Sequence, residues 1–246
     1  MLPQMTGAQL SDLYDAENQW AADDDFFLGF VNERPHSRVL DLGCGTGRVS
    51  LAVAAAGHRV VGIDPNINSL AAARGKRGAE DVTWIDGTSA QIPEDEVFDV
   101  AIMTAHVAQA ITHDADWSRT LADVHRALVP GGRLAFDSRD PAARAWERWT
   151  PADTRATRTL PDGSAVETWI GETVEESGLV TFTEHRVSAG HPEDAETSVL
   201  KFRTEEQLRH DLCTAGFTVE RILGGWAGEE VGSGHGELIV VARKPH

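Results

Sequence analysis

One stretch of this 246-residue chain is dense in residues that bind ligands: RVLDLGCGTGRVSLAVAAAGHRVVGID, from Arg38 to Asp64. Gly43, Gly45 and Gly47 fall where an apolar run gives way to a helical pattern. Glycines at a strand-to-helix turn let a ligand approach bare backbone, and the helix start offers unpaired N–H groups. Asp64 follows about 20 residues later at the end of the next apolar run, where a carboxylate accepts hydrogen bonds from both ribose hydroxyls. The spacing therefore points to a ribose-bearing ligand, an adenosine above all.

The glycine spacing separates the candidate ligands. A dinucleotide fingerprint reads G-x-G-x-x-G/A, with a small residue where the helix packs on its strand. Here it reads G-x-G-x-G, and that packing position holds Arg48, which disfavours a nicotinamide-dependent oxidoreductase. No Walker lysine pattern is present, so a phosphate cradle is not supported. Asp41, just before the turn, would repel a diphosphate and attract an ammonium group. A nucleoside with an amino-acid tail fits these residues better than a dinucleotide does.

Other residues have types suited to chemistry. His106 follows the apolar run FDVAIMTA (98–105), and histidine is the side chain that titrates near neutrality. It is the candidate general base, with pocket shaping or loop capping as the alternative. Arg139, leaving the next apolar run with Asp137 and Ser138, suits a carboxylate-bearing substrate or a surface acid. His235, in a glycine-rich loop, is placed to reach an acceptor or to sit in a solvated turn, and His113 sits at a helix start. Trp146, Trp149, Trp169 and Trp226 lie in the second half of the chain. Trp146 is the one expected to line a pocket, the others more as core. The histidines and the two distant cysteines show no tight ligand spacing, so no metal is expected.

These residues need a scaffold at the ends of strands. RVLDLG (38–43), RVVGID (59–64), VTWID (82–86), FDVAIMTA (98–105) and GRLAFDS (132–138) are mostly continuous apolar runs, as strands covered on both faces require. A helix starting at Asp114 aligns Trp117, Leu121, Val124 and Leu128 on one face, and Pro130-Gly131-Gly132 stops it. Strands alternating with helices predict an α/β, doubly wound parallel sheet. After Asp140 the texture changes. AVETWIGETV (165–174) and LVTFTEHRV (179–187) flank the turn-like EESG, and TSVLKFR (197–203) follows, suiting an antiparallel insertion over residues 150–203 with one wet face. Thr204 and Gln207 read as a capping box opening EEQLRHDLCTAGF. FTVERIL (217–223) and GELIVVARK (236–244) complete the sheet. The first 34 residues read as helical, with Phe26, Phe27, Phe30 and Val31 on one face.

Composition bounds the partners. The net charge is −17, which repels nucleic acid and anionic membranes, since both are bound by Lys/Arg neutralising phosphates. Two cysteines make a disulfide framework unexpected. With no signal-peptide pattern at the N-terminus and no apolar run of membrane-spanning length, a cytoplasmic location is expected.

The chain resembles the class I S-adenosylmethionine-dependent methyltransferases. VLDLGCGTG is close to that family's first motif, and Asp64-Pro65-Asn66 matches its ribose-binding acid with the neighbours. IDGTSAQIP (85–93), FDVAIMTAHV and LVPGGRLAF match later motifs in order. The resemblance implies a Rossmann-like seven-stranded sheet over residues 1–246, with a donor-binding core at 35–140 and closing elements at 204–246. It implies that Asp41 and the glycine turn hold the methionine end of S-adenosylmethionine, with Asp86, Gly87, Thr88 and Met103 at the adenine. LYDAENQWAADDDFF and RDPAARAWERW look like segments of a bacterial small-molecule subgroup. There a helical lid, here residues 1–34, brings an aromatic such as Tyr14 or Trp20 over the donor. The implied reaction is N- or O-methylation of a small acceptor near His106, Arg139, Trp146 and His235, giving S-adenosylhomocysteine, by a monomer or homodimer. A methyltransferase of tRNA or protein and a non-catalytic donor-binding protein are the alternatives.

Overall fold

The computed structural model describes residues 5–189 and 192–246. Two helices, α1 (Gly7–Glu17) and α2 (Ala22–Asn32), precede an alternating series. The series runs β1 (Arg38–Leu42), α3 (Arg48–Ala55), β2 (Arg59–Asp64), α4 (Ile67–Gly75), β3 (Val82–Asp86) and β4 (Phe98–Met103), then the short α5 (Val107–Ala110), α6 (Asp114–Ala127) and β5 (Leu128–Arg139). After the short α7 (Pro151–Thr154) come β6 (Ala156–Thr159), β7 (Ala165–Glu176), β8 (Leu179–Ser188) and β9 (Asp194–Lys201). The chain closes with α8 (Glu205–Thr214), β10 (Thr218–Leu223) and β11 (Glu237–Arg243).

The main sheet has the order β10-β11-β5-β4-β1-β2-β3. Its first five strands in sequence are parallel, and β11 runs antiparallel to both β5 and β10. Successive strand residues go to opposite faces: Val39 and Leu40 are both buried, in different clusters. On one side Phe27, Phe30 and Val31 of α2 and Val49 and Val53 of α3 meet Val39, Val60, Val100 and Ile102. On the other, Trp117, Leu121 and Val124 of α6 and Leu208 and Leu212 of α8 meet Leu40, Leu134 and Phe136. Burial on both faces is why these strands read as continuous apolar runs. The sheet is the expected doubly wound one, and its strand order reverses at β1, where the crevice at the strands' carboxyl ends takes ligands.

Several expected boundaries moved, for local reasons. Helix α6 stops at Ala127, because Pro130 disfavours helical backbone at Val129 and Leu128 is already extended. Pro130-Gly131-Gly132 is therefore absorbed into β5 as a register shift: Phe98 pairs Leu128, and pairing resumes at Val100 with Arg133. Strand β4 ends at Met103, since Ala105 (φ 55°) and His106 (φ 62°) are left-handed. The insertion is a four-stranded meander, β6-β7-β8-β9. Its first strand, Ala156–Thr159, is too short and polar to have stood out. The EESG turn places Ser177 and Gly178 at φ 55° and 79°, as a tight hairpin requires. Of the N-terminal segment, α2 packs into the main core, while α1 lies beside α4 with Ser11 Oγ donating to the Asn68 carbonyl at 3.3 Å. Among the described residues, no helix is long and apolar enough to cross a membrane.

Candidate functional site

The glycine turn is drawn over the end of β2. The Gly43 and Cys44 N–H groups donate to the Ile63 carbonyl at 2.7 and 3.1 Å. Asp64 is buried, and its carboxylate accepts from the N–H of Gly45 at 2.8 Å and of Asn66 at 2.7 Å. The glycines have separate jobs. A Cβ on Gly43 would come 2.3 Å from Val107 Cγ2, and one on Gly47 2.5 Å from the Trp84 ring. A Cβ on Gly45 would meet nothing within 4 Å, so Gly45 is the backbone that stands open to a ligand. Glycine also suits its φ of 54°.

Beside this turn lies a cavity of about 440 Å³, walled by Gly43, Asp64, Pro65, Gly87, Thr88 and Val107 among others. That volume is in the range of small-ligand sites. Asp86 is exposed, pairs in register with Asp64, and is not part of this wall; Met103 is fully buried and also outside it. Asn66 caps α4, its side-chain oxygen accepting from the N–H of Asn68 and Ser69. Tyr14 is 40% exposed and lines a neighbouring hollow with Asn66, and Trp20 is 42% exposed with its indole N–H donated to Asp25 at 2.8 Å.

Asp41 lies under the turn. Its Oδ2 accepts from Ser50 Oγ at 2.5 Å, and its Oδ1 is buried without a partner. Burial, and next the charge on Asp64 against the Ser50 bond, pushes its pKa up to about 7. Between the unfolded value near 4 and this folded value, the unfolded chain releases a proton that the folded chain keeps, so stability falls as pH rises. The unfolding free energy of Asp41→Asn relative to wild type is therefore expected to rise between about pH 4 and pH 7 and stay level above. Urea titrations across that range measure this. Curves that stay parallel would remove Asp41 as the responsible group.

A second hollow, of about 820 Å³, opens at the ends of β5 and β11, walled by Arg139, Arg148, Trp149, Asp153, His235 and Glu237 among others. His106 stands beside it. Its backbone N–H donates to Asp137 Oδ2 at 3.0 Å, and its Nε2 lies 3.0 Å from Glu237 Oε2 and 3.3 Å from Asp137 Oδ2. Asp137 is fully buried, with Oδ1 unpartnered; burial raises its pKa to about 6 against the pull of His106. Arg139 Nη1 donates to Gln109 Oε1 at 2.9 Å, and the guanidinium lies 5.4 Å from the Trp149 ring centroid. Trp146 is not in the wall. It packs edge-on against Phe202, ring centroids 4.8 Å apart, and Trp149 takes the place expected for it. His235 is in the wall, half exposed, with Nε2 3.5 Å from Glu229. His113 precedes α6 and makes no side-chain cap bond.

Three residues of this region, Glu237, Arg48 and Arg203, were not read from the sequence as site residues. Asp137, Glu237 and His106 bring ligand-type atoms within 4.8 Å of one another, in positions 31 and 131 residues apart along the chain. Sequence spacing could not reveal that cluster. Arg48, read only as an obstacle to dinucleotides, reaches back to the carbonyls of Asn18 and Gln19 at 2.6 and 2.8 Å and to Asp24 at 3.2 Å. It ties the link between α1 and α2 to the start of α3. Arg203 is buried and donates to the carbonyls of Ala108 at 2.9 Å and Ile111 at 2.8 Å, clasping α5 between the two cavities.

Residues 39–132 match the family model described as a methyltransferase domain. The chain is 30% identical over 206 residues to a cypemycin N-terminal methyltransferase of Streptomyces sp, covering 84% of this chain and 82% of that protein. It is 33% identical over 133 residues to a ubiquinone/menaquinone biosynthesis C-methyltransferase of Acidiphilium cryptum, covering 50% and 53% of the two chains. Among solved structures, an S-adenosylmethionine-dependent methyltransferase from Clostridium acetobutylicum superposes with a TM-score of 0.77 at 15% identity, covering 97% of this chain and 98% of that one. An amino pentose methyltransferase from Micromonospora echinaspora gives 0.72 at 20% identity over 98% and 99% of the two.

Proposed function

Since the chain belongs to the class I S-adenosylmethionine-dependent methyltransferases, we propose that it methylates nitrogen or oxygen of a small-molecule acceptor held in the hollow of Arg139, Trp149, His235 and Glu237. One observation carries this reading. Two cavities share the strand-end edge of the sheet, and a single segment divides them, with Val107 walling the first and His106 bonded to Glu237 in the wall of the second. The first suits the donor. Asp64 is offered for the ribose, with Pro65, Gly87 and Thr88 around the base. The open backbone at Gly45 is suited to the methionine end, with the buried Asp41 supporting the turn from beneath. Asp86 and Met103 would then act at most from behind the wall.

When bound, S-adenosylmethionine supplies a methyl group on a positively charged sulfur. The protein's part is to hold the acceptor in line and keep water out, since charge disperses during the transfer. His106 takes a proton if the acceptor arrives as a hydroxyl or an ammonium. Helix α1, bearing Tyr14 in the neighbouring hollow, stands beside the donor cavity, with the link at Trp20 tied down by Arg48. The segment ahead of the meander, through Arg148, Trp149 and Asp153, walls the acceptor hollow. The cypemycin relative, methylating at an N-terminus, supports nitrogen as an acceptor atom. The net charge of −17 supports a reaction without nucleic acid or anionic membrane partners.

The test is methyl-labelled S-adenosylmethionine offered with a panel of small amines and alcohols, beside total RNA and protein. Label is expected in small molecules. His106→Asn is expected to lower kcat about a hundredfold or more at neutral pH, with S-adenosylhomocysteine affinity unchanged. Label found only in macromolecules would overturn the acceptor class, and full turnover by the variant would overturn the base.

A further inference from the structure

Arg139 and Glu237 are register partners in the antiparallel pair of β5 and β11. Opposite charges at facing positions of such a pair attract and ordinarily meet. Here each is diverted. Glu237 Oε2 is held by His106 Nε2 at 3.0 Å, and Arg139 Nη1 is spent on the neutral Gln109 at 2.9 Å, the guanidinium resting against Trp149. Among the described residues, no carboxylate forms an ion pair with Arg139. A guanidinium has five N–H donors in a planar fork, so most of this one's capacity is uncommitted. Burial pushes its pKa down, against Glu237 and Asp137, so the charge is held in a setting that rewards a counter-ion.

Both side chains wall the same hollow. A surface that keeps a cation and an anion apart, each bonded to a partner that leaves it unneutralised, is complementary to a ligand carrying both charges close together. We infer that the acceptor is a small zwitterion, an amino acid with its ammonium and carboxylate on the same or neighbouring carbons, the carboxylate on Arg139 and the amine at Glu237 beside His106. This rests on the function proposed above and names its substrate class.

Two further observations narrow the choice. The planar fork of arginine matches a carboxylate in two parallel bonds. A phosphate dianion would bring a second negative charge beside Asp153 and Glu237 in the same wall and the buried Asp137 behind it, three carboxylates against the guanidinia of Arg139 and Arg148. An ammonium must also lose a proton before its lone pair can attack. The imidazole of His106, 3.0 Å from Glu237 and 3.3 Å from Asp137, is the group at hand to take it.

The experiment is calorimetry on the full chain saturated with S-adenosylhomocysteine, titrated with the common amino acids and β-alanine. Each amino acid that binds is then compared with the amine lacking its carboxylate and the acid lacking its amine. The zwitterion is expected to bind at least about tenfold more tightly than either half. Arg139→Met is expected to bring the amino acid down to the affinity of the amine alone, and Glu237→Gln to that of the acid alone. S-adenosylhomocysteine affinity should stay within about twofold in both variants, which shows that they fold. Should either variant fail to fold, the wild-type comparison of zwitterion with halves decides. Halves that bind as well as the whole, or a panel with no binder below about 10 mM while S-adenosylhomocysteine binds, would overturn the inference. A wild type that does not bind S-adenosylhomocysteine would overturn the donor site instead, and the titrations separate the two.

Discussion

Asp64→Ala is expected to weaken S-adenosylhomocysteine binding about a hundredfold, roughly 2–3 kcal/mol, as for a hydrogen-bonding partner that is charged. The size follows from two contributions lost together. The carboxylate stands in the wall of the first cavity at the glycine turn, where the proposed ribose would meet it. It also fixes the turn itself, accepting the Gly45 and Asn66 N–H groups at 2.8 and 2.7 Å. Alanine leaves both donors without that partner, so the turn loosens where the ligand must meet bare backbone. Burial raises the Asp64 pKa, and the two backbone bonds oppose this. Asp64→Asn keeps the shape and one acceptor, and should fall between alanine and wild type. Calorimetry of the three proteins measures the series. A variant within about threefold of wild type would remove Asp64 from the ribose.

Arg203→Met is expected to destabilise the fold by about 3 kcal/mol and to lower turnover further than it lowers donor affinity. Removing one partner of a buried, charged hydrogen-bond set leaves the others unsatisfied, at about 1–3 kcal/mol for each group. Here the carbonyls of Ala108 and Ile111 lose their donors, and Trp117 loses the guanidinium 4.7 Å from its ring centroid. The consequence for function comes through α5. The segment before it holds Ala105 and His106 in left-handed backbone, a conformation that costs a non-glycine residue about 1–2 kcal/mol and persists only when its surroundings impose it. Arg203 is one of those surroundings. Released, the segment can relax and carry His106 away from Glu237. Arg203→Lys supplies one charge but not a fork across two carbonyls, so it should recover stability only in part. Urea unfolding and a kcat-against-KM comparison test this. Lost stability with an unchanged kcat would make Arg203 structural only.

Much of this protein was legible before its fold was known. The glycine turn was readable because all its parts lie within one strand–helix–strand unit. Asp41, the glycines and Asp64 span Asp41 to Asp64, and local rules relate a glycine turn to an acid at the next strand's end. The five parallel strands were readable because burial on both faces makes each a continuous apolar run. Asp86, read as a donor contact, is exposed and outside the wall of the first cavity, because a residue's position at a strand end does not say which way it is turned. Trp146 stands outside the second hollow for a related reason. A run with tryptophans at 146 and 149 shows aromatic content, but both rings meet Phe202 and only the fold puts Trp149 in the wall, with Trp146 half-buried beside it.

The arrangement around the second hollow was decided by tertiary structure. His106 could be suspected from its place after the fourth strand, but its partners could not. Asp137 comes from β5 and Glu237 from β11, and only the antiparallel return of the last strand brings Glu237 opposite Arg139 and within 3.0 Å of His106. Arg203 and Arg48 reach across the chain to backbone carbonyls, which carry no sequence signature at all. The physical reason is one of range. Local chemistry, such as a turn's need for glycine or a strand's need for apolar faces, is written in neighbouring residues. A charge left without its counter-ion exists only once the whole sheet has chosen its register.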